Sequence, residues 1–406
     1  MLGSFLTQLL TVLVSPLNTR LYEPESFAIL ALFTAVTSTI SPAVSGRFDI
    51  AILISKNEPQ SNQFLALSIY FATIVSLSLF LFQLIFGEYL KPFIANDLPV
   101  LYWYLIPLAV LIIGITNAIK YKYNWSSNYS IINRINILQT SGGTISSLLF
   151  GLLSSNKHGM VLSFIINIMI GFIYSFKSTK NEIRAIIDSK YSDLKKIAKT
   201  YSDFPIYNAP STILENLSTT IPVYFIANSF GLQTLGFYSL FVRIVGVPLA
   251  FVSGAVSQVH NRKIVELIQQ KSDAKMYLIK LTLILFGLAC IPVSLYYLVG
   301  NRIVSVLFGS NWDMTGKMIE IMLPAIVFKF VSSSVGGVFV GTGHNKIGAY
   351  GKLFMFTVLF FTYYIYGSNT SVLDLLKIVS CVEVLSSMFY LALVFYAVIK
   401  PNYRNH

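Results

Sequence analysis

Charge is what this chain has least of. Only 11% of its 406 residues are Asp, Glu, Lys or Arg, against about 25% in soluble domains, and that excludes a water-facing globular fold. Cysteine is nearly missing as well. Cys290 and Cys381 are the two present, with no Cys-x-x-Cys and no nearby His pair, so neither a disulfide framework nor a zinc site is expected. Both fall within apolar runs and should be buried apolar residues. The four histidines, His158, His260, His344 and His406, are scattered over loops and the tail and form no catalytic or metal-binding set. Gly336-Gly337 and Gly341-Thr342-Gly343 lack the lysine and spacing of a P-loop, which removes an ATP-driven pump. The first fifteen residues carry neither a positive n-region nor a cleavage site, so no secretory signal is read there. No cofactor and no metal are expected.

What remains is apolar: 55% of the chain is hydrophobic and the mean hydropathy is +0.68. A bilayer core needs roughly 20 apolar residues per helix, and the sequence holds twelve such spans. They cover 2–20, 27–55, 64–86, 98–119, 132–154, 158–177, 207–229, 234–257, 277–299, 318–341, 347–367 and 371–398. Barrel strands alternate polar and apolar residues over about ten positions, whereas Val161–Ile173 is almost unbroken Val, Leu, Ile, Phe and Met. The fold class is therefore all-α and membrane-integral. Aromatic clusters at span ends (Tyr102-Trp103-Tyr104, Trp125, Tyr296-Tyr297, Trp312) read as interface anchors.

Lysine and arginine orient the spans. With a cytoplasmic N-terminus, seventeen of the 29 fall in inner loops and five in outer loops, so the positive-inside rule puts both termini in the cytoplasm. The same placement accounts for the net charge of +12: the partners of these cations are anionic membrane lipids, and nucleic acid is not expected.

The longest polar stretch divides the spans six and six. The expected units are a bundle over 1–177, a basic cytoplasmic linker over 178–204 and a second bundle over 205–406. The linker reads as an amphipathic helix or hinge on the inner leaflet, or as a solvated connector. Even-numbered halves share one orientation, as a parallel repeat requires. Shifting the sequence by 208 residues lays Leu32-Phe33 on Leu240-Phe241 and Val44-Ser45-Gly46 on Val252-Ser253-Gly254.

Charges inside spans cost at least about 2.5–3.5 kcal/mol each at the bilayer centre, so each one needs a partner or a purpose. Arg47 and Asp49 lie in the second span, and on a continuous helix they would point about 200° apart, each needing its own partner. Arg243 lies in the eighth span, with a pairing to Asp49 or Glu215 as the structural alternative to ligand binding. Lys329 occupies the middle of the tenth. Guanidinium forks suit phosphate oxygens, so Arg47 and Arg243 are the first candidates to hold an anionic substrate, Lys329 the third, with Arg20 at the outer mouth. Asp49, Glu215 and Glu383 are candidates for charge pairing or ion coupling.

The stretches Ser15–Phe27 and Ser45–Ala51, followed by Tyr207–Ser211, Gly236–Pro248 and Phe328–Ser333, resemble bacterial polysaccharide (O-antigen-type) flippases of the multidrug/oligosaccharidyl-lipid/polysaccharide exporter superfamily. The likeness runs through nearly the whole chain. It implies two six-helix bundles around a central cavity in the bacterial inner membrane, moving undecaprenyl-pyrophosphate-linked oligosaccharides by alternating access. The intramembrane arginines would hold the pyrophosphate, and a polysaccharide polymerase and chain-length regulator would be partners. Two departures stand out. Lys329 occupies a position that is often arginine in the family, which keeps the charge and loses the fork. The chain also starts within its first helix, so an earlier start or a missing inner-leaflet tail is expected. The rival readings are a cation-coupled multidrug exporter of the same fold and a membrane glycosyltransferase or polymerase. The last would need acidic residues on a large outer loop, and the sequence has none.

Overall fold

A computed structural model describes residues 2–94, 96–153, 157–179, 191–270, 273–342, 344–367 and 370–400. Among them twelve long helices account for the twelve spans. They are α1 (Leu2–Leu21), α2 (Pro24–Ile40), α3 (Glu58–Ile94), α4 (Val100–Trp125), α5 (Tyr129–Leu153) and α6 (Gly159–Ser178), then a second set of six. The helix Ala209–Phe241 is interrupted at Gly231, whose φ of +79° with ψ of 174° ends one helix and starts another. This separates α7 (209–230) from α8, which runs on through a π-helical turn, Val242–Gly246, into Val247–Gln269. The set closes with α9 (Ala274–Phe308), α10 (Asp313–Val335), α11 (Asn345–Tyr366) and α12 (Val372–Ile399). Among the described residues seven stretches are long and apolar enough to cross a membrane by length and composition, one of them (Phe204–His260) holding α7 and most of α8.

The chain forms two compact units, Met1–Gly236 and Phe237–His406. In the first, α5 packs on α6 and α1, and α4 packs on α3, α6 and α2. Lipid offers no hydrophobic drive for helix pairing, so close packing must supply it. Gly142 and Gly143 let α5 meet Ile170 and Asn167 of α6 at short range. Phe33 stacks edge-on against Tyr102 and Phe164. The α7 segment is tied in as well: Thr39 Oγ1 lies 3.1 Å from Thr220 Oγ1, and the Tyr224 hydroxyl hydrogen-bonds both threonines. Outside the spans, the Tyr22 hydroxyl donates to the Ser147 carbonyl at 2.6 Å. Burial pushes its pKa up to about 12, so it stays a donor.

Of the expected linker, 180–190 lies outside the described residues. Tyr191–Thr200 is a short amphipathic helix. It buries Leu194, exposes Lys195, Lys196 and Lys199, and is followed by Tyr201, which accepts a hydrogen bond from Gln60 Nε2.

In the second unit α12 packs on α10 and α11, and α10 also on α9 and α8. The core runs from Leu278 and Leu285 through Val331 and Val335 to Val394 and Ala397.

Three expectations are corrected. The second span is not one helix: α2 stops at Ile40, and residues 41–47 are a run of turns. Cys290 and Cys381 are exposed rather than buried, on helices whose outer faces are apolar. Trp103, Tyr102 and Trp312 are 3%, 3% and 1% exposed, so they pack inside the units instead of anchoring at the interface. Trp312 closes on Phe237 at 5.8 Å.

Candidate functional site

The break after α2 creates the site in the first unit. Pro42 has no N–H to continue the helix. Around and beyond it the backbone closes four-residue turns, Ala43 N to Ile40 O and Gly46 N to Ala43 O. Gly46 and Arg47 then both adopt left-handed φ, +60° and +61°. For glycine this is permitted. For arginine it carries strain of order 1–3 kcal/mol.

This geometry undoes the helical-wheel separation of Arg47 and Asp49. Both now line a single cavity of about 290 Å³, with Pro42, Asn117, Lys120, Tyr121, Asn124 and Ile132. Arg47 Nη1 donates to the Pro42 carbonyl at 2.9 Å, while its Nε is buried with no hydrogen-bond partner. The Asp49 side chain, 3% exposed, accepts from Ser45 Oγ at 2.8 Å and feels the Arg47 charge.

Lys120 lies one residue beyond the fourth expected span, 98–119. It belongs to α4, and its Nζ donates to Gln139 Oε1 of α5 at 2.9 Å. Gln139 is seated over Gly171, where a Cβ would strike its side chain. Asn117, Lys120, Tyr121 and Asn124 share one face of α4 because positions three, four and seven apart stack on a helix. That i, i+3, i+4, i+7 polar stripe is the sequence signal that marks this wall of the cavity. A cavity with two cations, one acid, two amides and a phenol can hold a hydrated anion by charge-assisted hydrogen bonds.

The second unit brings together two other predicted residues. Lys329 Nζ lies 3.1 Å from Glu383 Oε1, so the α10 lysine is ion-paired with the α12 glutamate. The Lys329 side chain is 55% exposed and that of Glu383 13%. Beside the pair, the buried Tyr238 and Tyr363 share a hydrogen bond and lie within electrostatic reach of Glu383.

Arg243 sits in the π turn of α8 and is half-buried. Wide turns of this kind are frequent at functional sites. Both candidate arginines therefore occur where the regular helix ladder fails. Arg20, at the end of α1, and Glu215, in α7, are exposed. Among the described residues no cluster of His, Cys, Asp or Glu could hold a metal ion.

Comparison with known proteins adds a lineage to this geometry. The profile of a family described as "Polysaccharide biosynthesis protein" matches residues 17–316. A capsular polysaccharide biosynthesis protein, CapF of Staphylococcus aureus, is 26% identical over 238 residues. The match covers 54% of this chain and spans only about half of that relative's length, 56%. Among solved structures, the lipid II flippase MurJ in an inward closed conformation superimposes with a TM-score of 0.70 at 15% identity, covering 98% of this chain and 90% of that one. A multidrug resistance MATE family transporter of the MOP superfamily, inward-facing, gives 0.60 at 13% identity over 95% of each chain. A MOP superfamily transporter from Pyrococcus furiosus gives 0.61 at 14%, covering 98% and 94%.

Proposed function

This chain belongs to the polysaccharide biosynthesis protein family, and from that premise we propose that it is a transporter of a lipid-linked saccharide precursor for a surface polysaccharide. The cargo is an oligosaccharide on undecaprenyl pyrophosphate, flipped across the bacterial inner membrane by alternating access, with both termini in the cytoplasm. A polysaccharide polymerase and a chain-length regulator would act on what it delivers.

The observation that carries this reading is the cavity behind α2. There Arg47 keeps a buried, unpartnered Nε, and Lys120 faces the same space. Unpaired buried donors are costly, and a phosphate oxygen satisfies them directly. A cationic drug would meet two cations and one acid in this cavity, and that balance favours an anionic cargo. Arg243 and Lys329 are the second and third phosphate-binding candidates. Lys329 reaches the cargo by exchanging Glu383 for it. A ligand moves the transport equilibrium only through unequal affinity for the two states, and exchange of ion-pair partners supplies such a difference.

The test is to express Arg47→Ala and Arg243→Ala at matched membrane levels and follow lipid-linked saccharide and surface polysaccharide. Loss of surface polysaccharide, with the lipid-linked unit trapped on the cytoplasmic leaflet, supports the proposal. Normal polysaccharide in both variants makes the arginines structural and brings the multidrug-exporter reading forward.

A further inference from the structure

A second cavity, of about 680 Å³, lies in the second unit, lined by α10 and α12 with Tyr297 of α9 at its edge. Its floor is apolar: Ile321 and Pro324 on α10, Val384 and Leu385 on α12. Leu385 is 66% exposed, and Leu298, next to Tyr297, is 78% exposed. In a membrane-spanning unit the natural surroundings of such side chains are hydrocarbon chains.

One end of the groove is polar. Glu320 and Lys377 both line it. The Glu320 carboxylate accepts from Asn301 Nδ2 at 2.8 Å, and among the described residues it has no ion-pair partner. Its backbone is special too. Pro324, four residues on, has no N–H for the Glu320 carbonyl, and the Tyr297 hydroxyl donates to that carbonyl instead at 3.4 Å. Tyr297 thereby ties α9 to the rim. Lys377 Nζ is held by Asp374 at 2.8 Å, with both side chains more than half exposed. Such exposed pairs are weak and leave the ammonium available to a stronger acceptor.

We propose that this groove binds an aminophospholipid. The lipid's primary ammonium pairs with Glu320, its phosphate with Lys377, and one acyl chain lies along Ile321, Pro324, Val384 and Leu385. Charge complementarity selects this occupant. A prenyl diphosphate would set two phosphates beside an unneutralised carboxylate, and an anionic glycerophospholipid would leave Glu320 without its cation. A choline headgroup has the charge but no N–H to donate. The site does not depend on the transport reading, because it involves neither Arg47 nor Arg243.

The measurement is native mass spectrometry of the delipidated full chain, titrated separately with dioleoyl phosphatidylethanolamine, phosphatidylcholine and phosphatidylglycerol. For the wild type, phosphatidylethanolamine should bind on the order of tenfold more tightly than either of the others, the increment of one charge-assisted hydrogen bond. Glu320→Gln keeps the acceptor for Asn301 and should level the three lipids. Lys377→Ala should weaken all three lipids alike, because each carries the phosphate, and Leu385→Trp should weaken all three by filling the groove. Equal binding of the three lipids to the wild type would overturn the proposal. So would an ethanolamine preference that survives Glu320→Gln, displacement of the lipid by a prenyl diphosphate, or a dimer forming in place of the lipid complex.

Discussion

The Lys329 ammonium stands 3.1 Å from the Glu383 carboxylate, joining α10 to α12 well inside two membrane-spanning helices. The pair is lopsided, since the lysine is largely exposed and the glutamate largely covered. Removing the lysine strands a covered charge, whereas removing the glutamate leaves a cation that can reach polar surroundings. Lys329→Ala should therefore cost more stability than Glu383→Ala, about 1–2 kcal/mol, a value between exposed and buried pairs. The double variant should recover part of that loss. Thermal unfolding of the four proteins in one detergent closes the cycle, and equal single-variant losses would refute the asymmetry.

Lys120 should matter as much as Arg47. Loss of one charge-assisted contact to the cargo corresponds to roughly a 10- to 100-fold drop in transport. Lys120→Ala should show it as cytoplasmic-leaflet accumulation of the lipid-linked unit. Gln139→Ala, which releases the lysine without removing it, should give a smaller drop.

Arg47→Lys separates charge from geometry. Lysine keeps the cation but presents no fork and does not place a donor where Nε now lies buried. Surface polysaccharide should fall between that of the wild type and that of Arg47→Ala. A lysine variant indistinguishable from wild type would mean that charge alone suffices.

Gly46→Ala meets two obstacles, a φ of +60° and the Phe71 ring 2.9 Å from the new Cβ. It should destabilise by about 1–2 kcal/mol. Gly254→Ala is the matched control. It lies in α8 with nothing within 4 Å of the new Cβ, and should be neutral or stabilise by about 0.4–1 kcal/mol. Unfolding midpoints of the two variants decide the point.

The twelve helices were legible as twelve predominantly apolar runs in the sequence, and the Gly231 break falls between the seventh and eighth spans as read. The break after α2 was announced by Pro42 and Gly46, yet the apolar run continues past both, and hydropathy alone joins the two sides. Lys120 was hidden by its place near the end of α4, where a cation usually serves topology; only its stripe with Asn117, Tyr121 and Asn124 marks it. The pairing of Lys329 with Glu383 spans 54 residues, and no local pattern encodes it. Cys290 and Cys381 misled because apolar neighbours signify burial in water but lipid contact in a membrane. Trp312 misled in the opposite sense: at a span end it resembles an interface anchor, yet it fills a core.

The failure of the helix ladder at 41–47 and 242–246 should also make these two segments open before the helices that flank them. Segments outside regular intrahelical bonding open at lower free energy than the helices around them. In hydrogen–deuterium exchange the amides flanking Arg47 and Arg243 should take up label earlier than those of α4 or α10. The two residues expected to grip the cargo thus ride on irregular backbone, so cargo capture would register as local protection from exchange at those turns.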